Sequence, residues 1–431
     1  MDKIQSIAEY ALDALKKAGA DKASCLVSKG RKDEFNIEAN QFTLLRTLFN
    51  DQLVLKAIKD GKKGDTSVNK LDKDSIDQAV SECMALTDAA NPDPAFDIAP
   101  KVENKNFDQS IGGSDRERMF ERSKEFLDQV SNDYPKVMFE GLSTDFNSSE
   151  SYYLNTNDAA FGRKTEYYNN GGLFSAKDGD LTSSFNSYGG RYVTLDKPFI
   201  ETGLMRTLLD ESVKSLNSEI IEKKFVGKII VTPCCEDMIW WNIIQNFLSD
   251  RAMIEGTSRW KDALGTMVAD PKLTFRAAPY HPQIVVGERF SSEGFEASDT
   301  EYIKNGKLTS YALSLYGSNK TDKPMAGAFG SIEVDAGDTP LADMIKGIED
   351  GVLLNRFSGA SPGPSGDVSG IAKNSFLIKN GKITGALKET MISFNIVDII
   401  KDIPAISSER VCEGTSVLPW CCFDGITVSG K

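Results

Sequence analysis

The groups able to do acid–base or metal chemistry are unevenly supplied in this chain. One histidine, His281, stands in Ala-Pro-Tyr-His-Pro-Gln between two prolines. Histidine is the commonest metal ligand and the usual general base near neutral pH. Counting therefore excludes any mechanism that needs two or three imidazoles from this chain. No orienting acid adjoins His281 in sequence, and the plain reading is a loop histidine. The seven cysteines are Cys25, Cys83, Cys234, Cys235, Cys412, Cys421 and Cys422, with two adjacent pairs. Thiolate metal sites usually space their ligands C-x2-C, whereas neighbours on a strand point apart. Buried, inert thiols are the simple reading and a thiolate site the sharper one. Gly359-Ala-Ser361-Pro-Gly363 matches G-x-S-x-G. A nucleophile elbow needs a strand, an immediate helix and a histidine, and Pro362 and Pro364 oppose the helix. Nucleotide-binding glycine loops and the Asp-Thr/Ser-Gly signature are absent.

The elements that must carry these residues follow from periodicity. Ile4, Ile7, Ala8, Ala11, Leu12, Leu15 and Ala18 predict a helix stopped by Gly19. Strands are expected at 25–28, 34–38, 43–49 and 53–58, with a hairpin turn at 61–64. A second helix over 75–86 presents Ile76, Ala79, Val80, Cys83 and Leu86 on one face. Residues 91–112 read as a surface connector, 116–130 as a helix, 136–192 as an antiparallel meander and 200–216 as a helix. Phe225–Val231 predicts a strand that opens a new domain. Asn305-Gly306 and Asn380-Gly381 predict two-residue hairpins, each inside Lys-Asn-Gly-Lys. An internal repeat and two independent uses of one good turn both remain open. Residues 236–250 read as a helix apolar nearly all round, either core or subunit contact. Residues 357–370 read as a long Gly/Ser/Pro loop whose backbone could approach a ligand.

The fold class expected is α+β, with antiparallel sheets flanked by helices. An N-terminal domain spans 1–222, made of a helix–strands–helix unit (1–90), a connector (91–113) and a helix with a meander (114–222). A larger mixed domain spans 223–431. The chain has 431 residues and a net charge of −13. That balance argues against a broad nucleic-acid contact, which relies on clustered cations. No leader or membrane span is legible, and a reduced cytoplasmic setting is expected.

The pieces together resemble the TldD/PmbA family, and the PmbA (TldE) branch most closely. The resemblance rests on Ala18-Gly-Ala-Asp-Lys-Ala, Asn91-Pro-Asp-Pro, Phe290-Ser-Ser-Glu-Gly294, Tyr311-Ala-Leu-Ser-Leu-Tyr316 and Gly351-Val-Leu-Leu. It continues through Ser365-Gly-Asp-Val-Ser-Gly370, Phe376-Leu-Ile-Lys-Asn-Gly-Lys-Ile and Asp424-Gly-Ile-Thr-Val-Ser-Gly430. Their order and spacing are more specific than any one piece. The family was once named for modulation of DNA gyrase and is now associated with metallopeptidases. Its TldD branch carries a His-Glu-x-x-x-His helix and a C-terminal cysteine as metal site. The matching slots here fall on Trp241, Asn242 and Asn246, and Cys412 lies near the cysteine position. One thiolate cannot hold a catalytic zinc alone.

The resemblance therefore implies a chain that binds no metal itself and works beside a TldD-like subunit that does. Zinc or a similar metal is expected only in that partner. This chain would shape a shared channel for unfolded peptides, with Arg356, Ser365, Asp367 and Ser369 facing peptide or partner. A homodimer in isolation is a further expectation; nucleic acid and membrane are not expected partners. Two other readings stand beside it: a regulatory or peptide-binding protein without catalysis, and a stand-alone hydrolase using Ser, Thr or Cys.

Overall fold

Long strands of period two build the first half of the chain. In this computed structural model, which describes residues 2–327 and 330–430, helix α1 (Asp2–Lys17) leads into β1 (Lys22–Glu38), β2 (Gln41–Lys59) and β3 (Lys62–Val68). Then come α2 (Lys73–Ala89), β4 (Lys105–Gln109), α3 (Arg116–Asp133), β5 (Val137–Asn155) and β6 (Ala160–Asp178). A short β7 (Leu181–Thr182), β8 (Asn186–Tyr192) and α4 (Met205–Lys214) complete this half. Its sheet runs β3-β2-β1-β5-β6-β4, with β7 and β8 also paired to β6. On β1, Ala23, Cys25 and Val27 pack with α1 and α2, and Phe35 and Ile37 pack with α3 and α4. All five share one parity and hence one face. Leu26 takes the opposite face, with Tyr153, Phe161 and Phe290.

The second half uses short strands around a larger core. Its elements are β9 (Ser218–Glu219), β10 (Phe225–Val231), α5 (Asp237–Ile243), a π turn over Ile244–Leu248, and α6 (Asp250–Ile254). Next are β11 (Phe275–Ala277), β12 (Thr300–Lys304), β13 (Lys307–Leu308), α7 (Leu315–Thr321), β14 (Ile332–Val334) and α8 (Leu341–Lys346). Then follow β15 (Asp350–Leu354), β16 (Arg356–Gly359), β17 (Asp367–Lys373), β18 (Phe376–Lys379), β19 (Lys382–Leu387) and β20 (Thr390–Asn395). The chain closes with α9 (Ile396–Ile399), β21 (Ala405–Cys412) and β22 (Ser416–Ser429). The sheet is mostly antiparallel, but β10–β15, β14–β22 and β9–β19 pair in parallel. The class is α+β.

Both Asn-Gly turns form as read. Asn305-Gly306 joins β12 to β13 and Asn380-Gly381 joins β18 to β19, with all four residues at positive φ, as a type I′ turn requires. Cys421 and Cys422 point into different cores on opposite faces of β22.

Several boundaries differ from the sequence reading. The early strands merge into the unbroken β1 and β2, and the turn after β2 sits at Asp60-Gly61, not 61–64. The connector contains β4, which pairs in parallel with β6. Leu86 is exposed, whereas Met84 and Thr87 complete the buried face of α2. The helix expected at 200–216 is a short 3-10 turn over Phe199–Glu201 followed by α4, with Gly203 at φ +48° between them. The expected loop 357–370 is a hairpin: β16 pairs with β17, and only its tip is irregular. Pairing partners decide these points, and local propensity does not report them.

Candidate functional site

Helix α5 and the π turn lie against the second core. Ile239, Trp240, Ile243, Ile244, Phe247 and Leu248 are buried, while Met238, Trp241, Asn242, Gln245 and Asn246 form the accessible stripe. The helix is therefore core on one side, with Trp240 fully buried and stacked on Phe275 at 5.2 Å between ring centres. Its indole Nε1 donates to Glu236 Oε2 at 2.7 Å. Slots five residues apart lie about 140° apart on a straight α-helix. The wider winding of a π turn reduces that angle, and Trp241 and Asn246 share the accessible stripe.

The amides in those slots are already engaged. Asn242 Nδ2 donates to the Met238 carbonyl. Asn246 Nδ2 donates to the carbonyls of Asn242 at 3.1 Å and Pro362 at 3.0 Å, so it ties the helix to the tip of the β16–β17 hairpin. Arg259 Nη1 and Asn395 Nδ2 donate to the Ser365 carbonyl at 3.1 and 2.9 Å and hold the same tip. Gly366, at φ +82°, turns the chain there.

The four hairpin residues divide into two groups. Asp367 and Ser369 alternate with buried Val368 and Gly370 and present an exposed face of β17. Asp367 Oδ1 accepts from Asn395 Nδ2 at 2.8 Å, and bonds from Asn395 and Ser365 hold its carboxyl below the usual range. Ser369 Oγ lies 3.0 Å from Ser393 Oγ. Ser365 is exposed on the tip. Arg356 turns away from the tip: its guanidinium stacks 3.6 Å from the Phe185 ring centre and donates to the Phe185 carbonyl at 2.7 Å.

A buried polar network roots the hairpin. Asn355 Nδ2 donates to Glu211 Oε2 at 2.6 Å and to the Asn374 carbonyl at 3.0 Å. Asn374 Nδ2 donates to Asn186 Oδ1 at 2.7 Å. Burial pushes the Glu211 carboxyl up to about 7, against the opposing bond from Asn355. A polar cleft of about 410 Å³ opens beside it, lined in part by Thr182, Ser184, Ser215, Lys373, Asn374 and Lys388. On its outer edge β16 has no strand partner among the described residues. Sequence reasoning missed Glu211 and Asn355, because nothing in their local pattern marks them as buried. Asn395 was missed as well, although a capping residue was a signal that could have found it: it caps α9, where its Oδ1 accepts from Val397 N.

Two residues sit apart. His281 has an acid partner after all: Glu333 Oε1 lies 3.7 Å from Nε2, while Gln283 N donates to Nδ1 at 3.2 Å. Arg276 and Arg410 bind the same Glu333 at 2.9 and 2.6 Å, so His281 belongs to a charge cluster on β11, β14 and β21. Cys412 packs with Ala278, Ile284 and Val417, and its thiol donates to the Gln283 carbonyl at 3.3 Å. Burial raises that thiol.

Residues 226–430 match the PmbA/TldA metallopeptidase C-terminal domain. A metalloprotease PmbA homolog from Haemophilus influenzae is 23% identical over 437 residues, covering 94% of this chain and 92% of its own length. The C-terminal part of the chain thus carries a PmbA/TldD-type domain, and nearly the whole chain is similar to a PmbA homolog at 23% identity. A metalloprotease PmbA from Escherichia coli O157:H7 is 25% identical over 152 residues, which is 34% of each chain. The fold matches that of TldE from Thermococcus kodakarensis, with a TM-score of 0.84 at 16% identity over 98% of this chain and all of the other. It also matches a candidate modulator of DNA gyrase from Bacteroides thetaiotaomicron, with a TM-score of 0.86 at 19% identity over all of both chains.

The family description implies a metal, and the residues present do not fit one. The helix slots hold an indole and two amides already bonded to carbonyls, and Cys412 lies in an apolar cluster. Among the described residues no three His, Cys, Asp or Glu side chains gather as a ligand set. No helix of the structure is long and apolar enough to cross a membrane.

Proposed function

We propose that this chain is the subunit without metal in a TldD/TldE-type peptidase. It shapes a channel shared with a TldD-like subunit that supplies the metal and the hydrolytic water. The observation that carries this reading is the occupied helix: Asn246 spends its amide on Pro362, so the second histidine slot works as a clamp for the β16–β17 hairpin. An unfolded peptide would bind by adding a strand to the free edge of β16, which reads backbone and not sequence. The exposed Asp367 and Ser369 would flank it, and Arg356 would hold the strand in place from behind.

The test is metal analysis and peptide cleavage on the isolated chain, on a His-Glu-x-x-x-His relative and on the mixture. Stoichiometric metal and cleavage are expected only where the relative is present. Cleavage by the relative alone at the rate of the mixture would refute the partnership, as would tight zinc on the isolated chain. Asp367→Ala is expected to lower cleavage by the mixture several-fold, about 1 kcal/mol of lost binding; unchanged cleavage would remove it from the channel.

A further inference from the structure

The polar cleft beside the Asn355–Glu211 network contains two buried groups with nothing to bond. It encloses about 410 Å³ between β7 and the loop after it, the end of α4, the end of β17 and the turn that joins β19 to β20. Asn374 and Ser215 both line it, and they are only 3% and 7% exposed. The Asn374 amide is held in one orientation by its Nδ2, which donates to the Phe185 carbonyl at 2.9 Å and to Asn186 Oδ1 at 2.7 Å. Its Oδ1 is therefore left as an acceptor. Among the described residues, neither that oxygen nor Ser215 Oγ has a hydrogen-bond partner. Buried polar atoms are nearly always bonded, so two orphans in one cleft mark a place for a ligand.

The lining decides the polarity of that ligand. An amide oxygen only accepts, so an ionised carboxylate or phosphate cannot satisfy Asn374 Oδ1, whereas an N–H can. Helix α4 ends at Ser215, and the negative end of a helix favours a cation. Lys373 and Lys388 border the same cleft and form no ion pair among the described residues, which gives a carboxylate its place. Asp180 and Glu389 balance these lysines, so a ligand that carries both signs and no net charge fits better than a bare ion. Leu216 and Leu387 add an apolar wall. We propose that the cleft holds a short peptide as its zwitterion. The α-ammonium donates to Asn374 Oδ1 and Ser215 Oγ, and the carboxylate lies between Lys373 and Lys388. The choice of a peptide rests on the peptidase reading, because short peptides are what such an enzyme releases; the site itself rests on the cleft.

The test is titration calorimetry on the full chain alone, with leucyl-leucine, its N-acetyl form and its C-terminal amide. The free dipeptide is expected to bind with a Kd between about 10 µM and about 1 mM. N-acetylation removes the cation and should weaken binding at least about tenfold, with a several-fold loss on amidation. Ser215→Ala should weaken the dipeptide several-fold without lowering Tm, because the buried hydroxyl it removes has no partner to lose. Lys373→Gln with Lys388→Gln should weaken the free dipeptide and leave the amide unchanged, the mark of a carboxylate contact. The ligand series needs no substitution, so the test stands should a variant fail to fold. No binding up to about 10 mM dipeptide, or equal binding of either capped form, overturns the proposal. So does acetate binding as tightly as the dipeptide. Neither metal nor a TldD-like chain enters these readouts. Failure here with cleavage by the mixture intact refutes the cleft alone, and lost cleavage with dipeptide binding intact refutes the partnership alone.

Discussion

Two open sheet edges of this protein, on β2 and on β16, offer the same backbone groups and opposite side chains. On β2 the open stretch is long, apolar on both faces and nearly uncharged. On β16 it is four residues, Arg-Phe-Ser-Gly, paired to Gly370–Lys373 of β17, with the polar Asp367 and Ser369 farther along that strand, and rooted in the Asn355–Glu211 network. A strand edge supplies directional hydrogen bonds in either case. The side chains beside it decide whether binding is permanent or transient. Burying Leu and Phe against water favours a lasting contact, whereas exchanging water for polar partners nets little per bond. The apolar edge therefore suits a lasting contact and the polar edge a transient one.

The largest expected effect lies at the root of the polar edge. Glu211 titrates near 7 in the fold and near 4.5 when unfolded, so the folded state binds the extra proton between those values. The contribution of this one group is then full below about 4.5 and is lost as pH rises through about 7. Glu211→Gln keeps an acceptor for Asn355 and should flatten that slope. It should remove a loss on the order of 3 kcal/mol, read as the denaturant midpoint from about pH 5 to 8. Unchanged pH dependence would mean that water reaches the carboxylate. A smaller change is expected from the substrate side. Peptides methylated on alternate backbone amides should bind the mixed complex roughly tenfold more weakly, since each lost bond is worth about 1 kcal/mol. Equal affinity would sink backbone readout at β16. The smallest is Arg356→Ala, which removes the stack on Phe185 and should lower stability by about 1–2 kcal/mol, seen as a modest fall in Tm.

Much of the framework was legible beforehand, and the reasons are local. Helix α1 shows in its apolar spacing, and both Asn-Gly turns show because few other residue pairs tolerate two positive φ angles in succession. The parting of Cys421 and Cys422 follows from strand alternation. The misses are non-local. β4 hides in a proline-bounded connector because a five-residue strand paired in parallel has no turn signal. The Gly/Ser stretch after Asn355 carries loop composition, yet β20 pairs with β17 and draws it into the sheet. His281 lacks an acid neighbour in sequence and gains Glu333 from a strand more than fifty residues away.

By itself the sequence determined the supply of chemistry: one imidazole, seven thiols with two adjacent pairs, and no histidine on the α5 helix. Composition is a count, and folding cannot add to it. Only the tertiary structure decided how those groups are spent. It bonds Asn246 to Pro362, turns Arg356 onto Phe185, buries Glu211 beside Asn355 and leaves the apolar edge of β2 open. Each of these outcomes depends on segments far apart in the chain meeting at hydrogen-bond distance, and such meetings are set by strand pairing and core packing rather than by the residues next door.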